Sequence, residues 1–138
     1  MPMITIRYVE PEIGGPDRRP AIAKAAAAWA AEYLGKDKGV TAVLVEPADP
    51  GGWCIGGQRP TDAGLAAFWL DIKITAGTNL KGETTRFVQA AFTGMADLLG
   101  PLHPESYVLV HAVDGHAYGY GGSTQEQRWA ASQVNTSA

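Results

Sequence analysis

The sequence holds a single cysteine, Cys54, so no disulfide can form within the chain, and a cytoplasmic setting is the expectation. Charge is sparse as well: 18% of residues are charged, with a formal net charge of −3. That balance gives neither nucleic acid nor an anionic membrane an electrostatic footing as partner. No apolar run approaches the ~18 residues a membrane span needs. The opening Met1-Pro2-Met3-Ile4-Thr5-Ile6-Arg7 is short and alternating, without the apolar stretch of a signal peptide. His103, His111 and His116 fall in no metal-binding spacing, and one cysteine cannot build a thiolate zinc site, so no metal is expected. What remains is a balanced composition, 46% hydrophobic over 138 residues, which suits one domain with a real core.

A weak internal repeat organises the chain. At an offset of 65, Ala25, Ala26, Ala31, Leu34 and Gly35 match Ala90, Ala91, Ala96, Leu99 and Gly100. The same offset lays Trp53-Cys54-Ile55-Gly56-Gly57 on Tyr118-Gly119-Tyr120-Gly121-Gly122, and one residue more pairs Ile4-Thr5-Ile6-Arg7 with Leu70-Asp71-Ile72-Lys73. Three blocks in the same order make chance a poor explanation.

Each half carries the same elements. Ile4, Ile6 and Tyr8 alternate with Thr5 and Arg7, and Leu70, Ile72 and Ile74 alternate with Asp71, Lys73 and Thr75, the pattern of half-buried strands. Helices are expected over about Asp17 to Leu34, with Asp17 as cap and Gly35 as stop, and over about Lys81 to Leu99, stopped by Gly100-Pro101. The apolar runs Thr41–Val45 and Tyr107–His111 read as buried strands. Strand, helix and strand within about 45 residues form a β-α-β unit with parallel strands. The expected fold class is α+β: two tandem β-α-β units forming one four-stranded mixed sheet with two helices on one face. It is a single domain, 1–138, duplicated as 2–57 and 68–122. The polar tail 123–138 is either an arm docking on a neighbouring subunit through Trp129 or a frayed end.

Met1-Pro2, the length of the β-α-β unit and the duplicated Gly-Gly hairpins resemble the tautomerase superfamily. The 4-oxalocrotonate tautomerase group is the first point of likeness, and the double-length form is similar to the macrophage migration inhibitory factor, malonate semialdehyde decarboxylase and cis-haloacrylate dehalogenase branches. The resemblance covers about residues 2 to 122. It implies an isomerase that needs no cofactor: a keto–enol tautomerase in which Pro2, freed by removal of Met1, is the general base on a small 2-keto or 2-enol acid. An α-amino group ordinarily titrates at roughly 7.7–8.0. An apolar pocket disfavours its charged form, which leaves a neutral amine able to carry a proton between substrate atoms.

Carried over by position, the resemblance implies that Lys36 after Gly35, Trp53 and Ile72 line the Pro2 pocket. It also implies a homotrimer in which Tyr118, whose own half has Phe68 in place of a free proline, serves a neighbouring subunit's pocket. The arginines that grip substrate carboxylates are absent: Glu12 and Thr41, and in the second half Thr78 and Tyr107, stand at their places. Lys73 is the sole cation near the positions of the dehalogenase arginines. Two alternatives therefore stand beside the tautomerase: hydration, dehalogenation or decarboxylation on the same fold, and a non-catalytic binding protein. His111 reads as a satisfied strand histidine, Asp114 and His116 as a turn, and nothing marks Cys54 as nucleophilic.

Overall fold

The structure is a computed structural model that describes residues 2–136, and for 135 and 136 the backbone alone. Met1, whose removal the resemblance requires, lies outside the described residues, as do 137 and 138 of the tail. Four strands form the main sheet: β1 (Met3–Val9), β2 (Ala42–Pro47), β3 (Ala67–Thr75) and β4 (Tyr107–Val113), in the order β2-β1-β3-β4. β1 runs parallel to β2 and β3 parallel to β4, while β1 and β3 meet antiparallel. This is the expected mixed α+β sheet. Its two halves are joined so that Thr5 stands directly opposite Asp71, the residue at its own place in the repeat.

Alternation decides which face each strand buries. Ile4, Ile6 and Tyr8 of β1 and Phe68, Leu70, Ile72 and Ile74 of β3 point into one core. Helices α1 (Arg19–Leu34) and α2 (Lys81–Leu99) cover that face. Each buries one stripe at four-residue spacing, Ile22, Ala26, Ala30 and Leu34 against Phe87, Ala91, Met95 and Leu99. The two stripes correspond one for one at an offset of 65. Alanine at three of these eight places keeps the helices close to the sheet.

α1 begins two residues later than expected. Asp17 accepts the backbone N–H of Arg19 at 3.0 Å and its guanidinium at 2.9 Å, so it ties down the entry from outside the first turn. Gly35 stops the helix in the left-handed region at φ 69°, its N–H bonded to the Ala31 carbonyl. α2 has the expected bounds, and the Glu83 carboxylate caps the Leu80 N–H at 2.7 Å.

Both Gly-Gly hairpins form. Gly56 and Gly57 have φ of 59° and 80°, and Gly121 and Gly122 have 61° and 83°, the positive values that two-residue hairpin turns demand. They link Ile55 to Gln58 and, as strands β5 (Gly119–Tyr120) and β6 (Ser123–Thr124), Tyr120 to Ser123. The tail that follows is ordered over the described residues. It is a helix, α3 (Gln125–Thr136), folded back on its own chain. Thr124 accepts the Gln127 N–H at 3.0 Å and Gln127 accepts the Thr124 N–H at 2.9 Å, a reciprocal cap. No helix among the described residues is long and apolar enough to cross a membrane.

Candidate active site

Pro2 precedes β1 at the middle of the sheet. Its ring is fully buried, and its carbonyl accepts the Ala42 N–H at 3.2 Å. The strand registers set its surroundings: extended by one residue, they place Thr41 on one side of Pro2 and Ile74 on the other. The carbonyl ends of β3 and β4 therefore share the end of the sheet where Pro2 sits.

A cleft of about 840 Å3 opens at that end. Val40 and Thr75, each adjacent in sequence to one of the residues flanking Pro2, form part of its wall. The turn Asp114–His116, closed by the Ala117 N–H on the Asp114 carbonyl at 2.8 Å, forms another part, and α3 lines the rest. Lys36 comes in behind Thr78, donating to its hydroxyl at 3.1 Å. Burial lowers the Lys36 pKa from the usual lysine value, and the Glu83 carboxylate opposes that shift in part.

The expected site residues do not all assemble in one chain. Tyr118 lies at the Pro2 end, its hydroxyl sharing a short hydrogen bond with that of Thr75. Its hairpin thus sits on the Pro2 end of its own chain. Trp53 lies at the other end of the sheet, beyond the last residue of β2, in a second depression of about 600 Å3 with Arg7, Trp69 and Tyr107. The physical reason is the antiparallel join of β1 to β3, which turns the two halves end for end. The hairpin of one half thereby comes to the starting strand of the other.

Ile72 is fully buried opposite Ile4 and beside Val110, so within the chain it is core and lines neither cleft. Phe68, the counterpart of Pro2 at the far end, is also fully buried. His111 faces the Asp71 carboxylate at 2.8 Å, and Lys73 pairs with the same carboxylate, which gives both strand residues a structural role. Cys54 is exposed.

Sequence reasoning passed over α3. It contributes Gln125, Glu126, Arg128 and Trp129 to the Pro2-end cleft. The signal was present as Thr124-Gln125-Glu126-Gln127, a Ser/Thr-x-x-Glu/Gln cap. No apolar run follows it, so hydrophobic periodicity did not reveal the helix.

No protein-family profile matches the chain, and no curated protein matches it. Solved structures do match. A fused 4-OT described as a wild-type symmetric trimer aligns over 90% of this chain and 96% of its own, at 13% identity and a TM-score of 0.76. The macrophage migration inhibitory factor-like protein of Entamoeba histolytica aligns over 89% and 97%, at 20% identity and 0.71. N1, a member of the cis-3-chloroacrylic acid dehalogenase family, aligns over 92% and 90%, at 17% identity and 0.68. The chain has the tautomerase-superfamily fold. Most members of that superfamily are enzymes, and the likeness at these identities is one of fold.

Proposed function

We propose that the protein is a cofactor-independent keto–enol tautomerase acting on a small 2-keto or 2-enol acid, with Pro2 as its N-terminal base once Met1 is removed. The observation that carries this reading is the position of Pro2. It is buried at the head of a central strand, between residues whose sequence neighbours Val40 and Thr75 wall the larger cleft. Burial disfavours the charged form of a secondary amine held there, which leaves it able to take a proton from carbon or oxygen and return it elsewhere. Lys36 and Tyr118 supply a cation and a hydroxyl to the same end, where enolate charge would develop.

Trp53 enters this site through assembly, whereas Ile72 stays in the core of its own subunit. A homotrimer would bring the Trp53 depression of one subunit to the Pro2 end of the next. Two observations support assembly: matching structures that are described as trimers, and the apolar residues on the sheet face away from the helices. The exposed Cys54 fits a reducing, cytoplasmic setting.

A second reading, addition of water, draws on Asp37, Asp114 and Glu126 along the same cleft. A carboxylate there could take a proton from water while protonated Pro2 gives one to carbon.

The test is ketonisation of phenylenolpyruvate by protein whose intact mass shows loss of Met1. Pro2→Ala is expected to lower turnover at least about tenfold, the low side of what general acid–base catalysis contributes. Unchanged turnover, or Met1 retained throughout the native protein, rejects the assignment.

A further inference from the structure

Two orphaned polar atoms meet at the Pro2-end cleft, and both belong to α3. The Nε of Arg128 and the Oε1 of Gln125 are sequestered from solvent, and neither has a hydrogen-bond partner among the described residues. Both side chains line the cleft. Buried polar groups in folded proteins are normally paired, and an unpaired donor on a charged group is among the costliest to leave so. A ligand that supplies the missing partners resolves the cost.

Arg128 is held in a set pose. Its Nη2 donates to the Tyr120 carbonyl at 2.7 Å, and its guanidinium carbon stacks 3.8 Å from the centre of the Tyr120 ring. Gly121 makes room for it, since a Cβ there would lie 2.7 Å from Nη2. The second Gly-Gly hairpin is thus a cradle for a guanidinium. No carboxylate among the described residues forms an ion pair with Arg128; the ion-paired arginines are Arg7, Arg18, Arg19 and Arg59.

We propose that Arg128 and Gln125 form a binding site for a single carboxylate carried next to a hydroxyl, as in a 2-hydroxy or 2-enol monocarboxylate. The carboxylate meets the unpaired Nε of Arg128, and the hydroxyl donates to Oε1 of Gln125. Charge around the cleft selects for one negative charge: Asp37, Asp114 and Glu126 face the space with the one guanidinium, and His116 and the Tyr120 phenol are the remaining titratable groups of its lining. Three carboxylates repel a second anionic group, so dicarboxylates are disfavoured. Val40, Tyr120 and Trp129 give an apolar or aromatic substituent a wall to lie on. That this site holds the substrate of Pro2 rests on the proposed tautomerase function; the carboxylate site itself does not.

The test follows the four tryptophan indole N–H resonances of the full chain by NMR during titration with 3-phenyllactate, its neutral amide and malate. Phenyllactate is expected to give saturable shifts at Trp129 and not at Trp53, with the amide and malate binding at least about tenfold more weakly. That is the low end of a charge-assisted hydrogen bond. Arg128→Met should weaken phenyllactate by a similar factor, with Arg128→Lys in between. Equal affinity for phenyllactate and its amide overturns the proposal and needs no variant to fold. Unchanged affinity in folded Arg128→Met, or equal shifts at every tryptophan, also overturns it. Carboxylate-dependent binding at Trp129 without any ketonisation sinks the tautomerase reading and upholds this site. Ketonisation that is indifferent to Arg128 upholds the tautomerase reading and shows that this site does not hold the substrate of Pro2.

Discussion

The indole of Trp29 packs against Gly94, the residue that holds the same place in the other half of the repeat: a Cβ on Gly94 would sit 2.2 Å from Cζ2 of Trp29. Like Thr5 and Asp71 in the sheet, these two equivalent positions meet where the halves join. Here one half supplies a large ring and the other supplies nothing, so α1 and α2 can approach across the join.

Gly94→Ala adds a methyl group where the ring already is. Overpacking costs about 1–3 kcal/mol, and the roughly 1 kcal/mol gained from the better helix former offsets only part of it. Urea unfolding should show a net loss in Gly94→Ala. In the Trp29→Ala background the same change should become neutral or stabilising, because the clash is gone. An equal loss in both backgrounds would refute the contact.

The two hairpin glycines separate backbone cost from packing. Gly56 and Gly121 share a left-handed φ, yet a Cβ at Gly56 meets nothing within 4 Å while one at Gly121 strikes Arg128. Each alanine should cost about 1–2 kcal/mol for the backbone alone. Gly121→Ala should cost more, and should lower the melting temperature further than Gly56→Ala. Equal melting temperatures would mean that Arg128 is not seated on the hairpin.

Lys36 sets a pH dependence. Its pKa is lowered by burial, so the folded chain gives up this proton at a lower pH than the unfolded chain does. Between the lowered value and the usual 10.5, the unfolded chain holds more protons, and stability rises with pH through that window. Below it, the half-buried ammonium weighs against folding. Denaturant unfolding from neutral pH upward should show the rise in wild type and a shallower one in Lys36→Met. Parallel curves would count against the shift.

The sheet face away from the helices bears Met3, Leu44 and Trp69, about 40–47% exposed in the first two. If three chains assemble through that face, light scattering gives the mass of a trimer. Leu44→Glu should shift it toward one chain, because a buried unpaired carboxylate is strongly disfavoured. A wild-type mass of one chain at micromolar concentration would remove assembly from the proposed function.

Much of the architecture was legible because its signals are local. Alternation marked β1 and β3, Gly100-Pro101 ended α2 at Leu99, and the Gly-Gly pairs announced their turns. Pro2 and Lys36 were legible only through resemblance, since neither residue type by itself signals chemistry. α3 was missed because its stability rests on a cap and on contacts with distant loops, such as Gln125 N–H to the Tyr118 carbonyl at 3.0 Å and Glu126 N–H to the Gly115 carbonyl at 3.0 Å. A helix this polar, with Trp129 and Val134 its large apolar residues, leaves little trace in periodicity.

By itself, the sequence determined the repeat, the strand and helix content, the hairpins and the residue at the head of β1. Each of these follows from side-chain period, glycine freedom and stop signals within a few neighbouring residues. Only the tertiary structure decided which hairpin shares an end with Pro2. Alternating strands have the same pattern whichever way they pair, so the direction of β1 against β3 is set by backbone bonding and packing between segments some 66 residues apart. That antiparallel join carries Trp53 to the opposite end of the sheet from Pro2 and brings Tyr118, Tyr120 and, through α3, Arg128 to the same end.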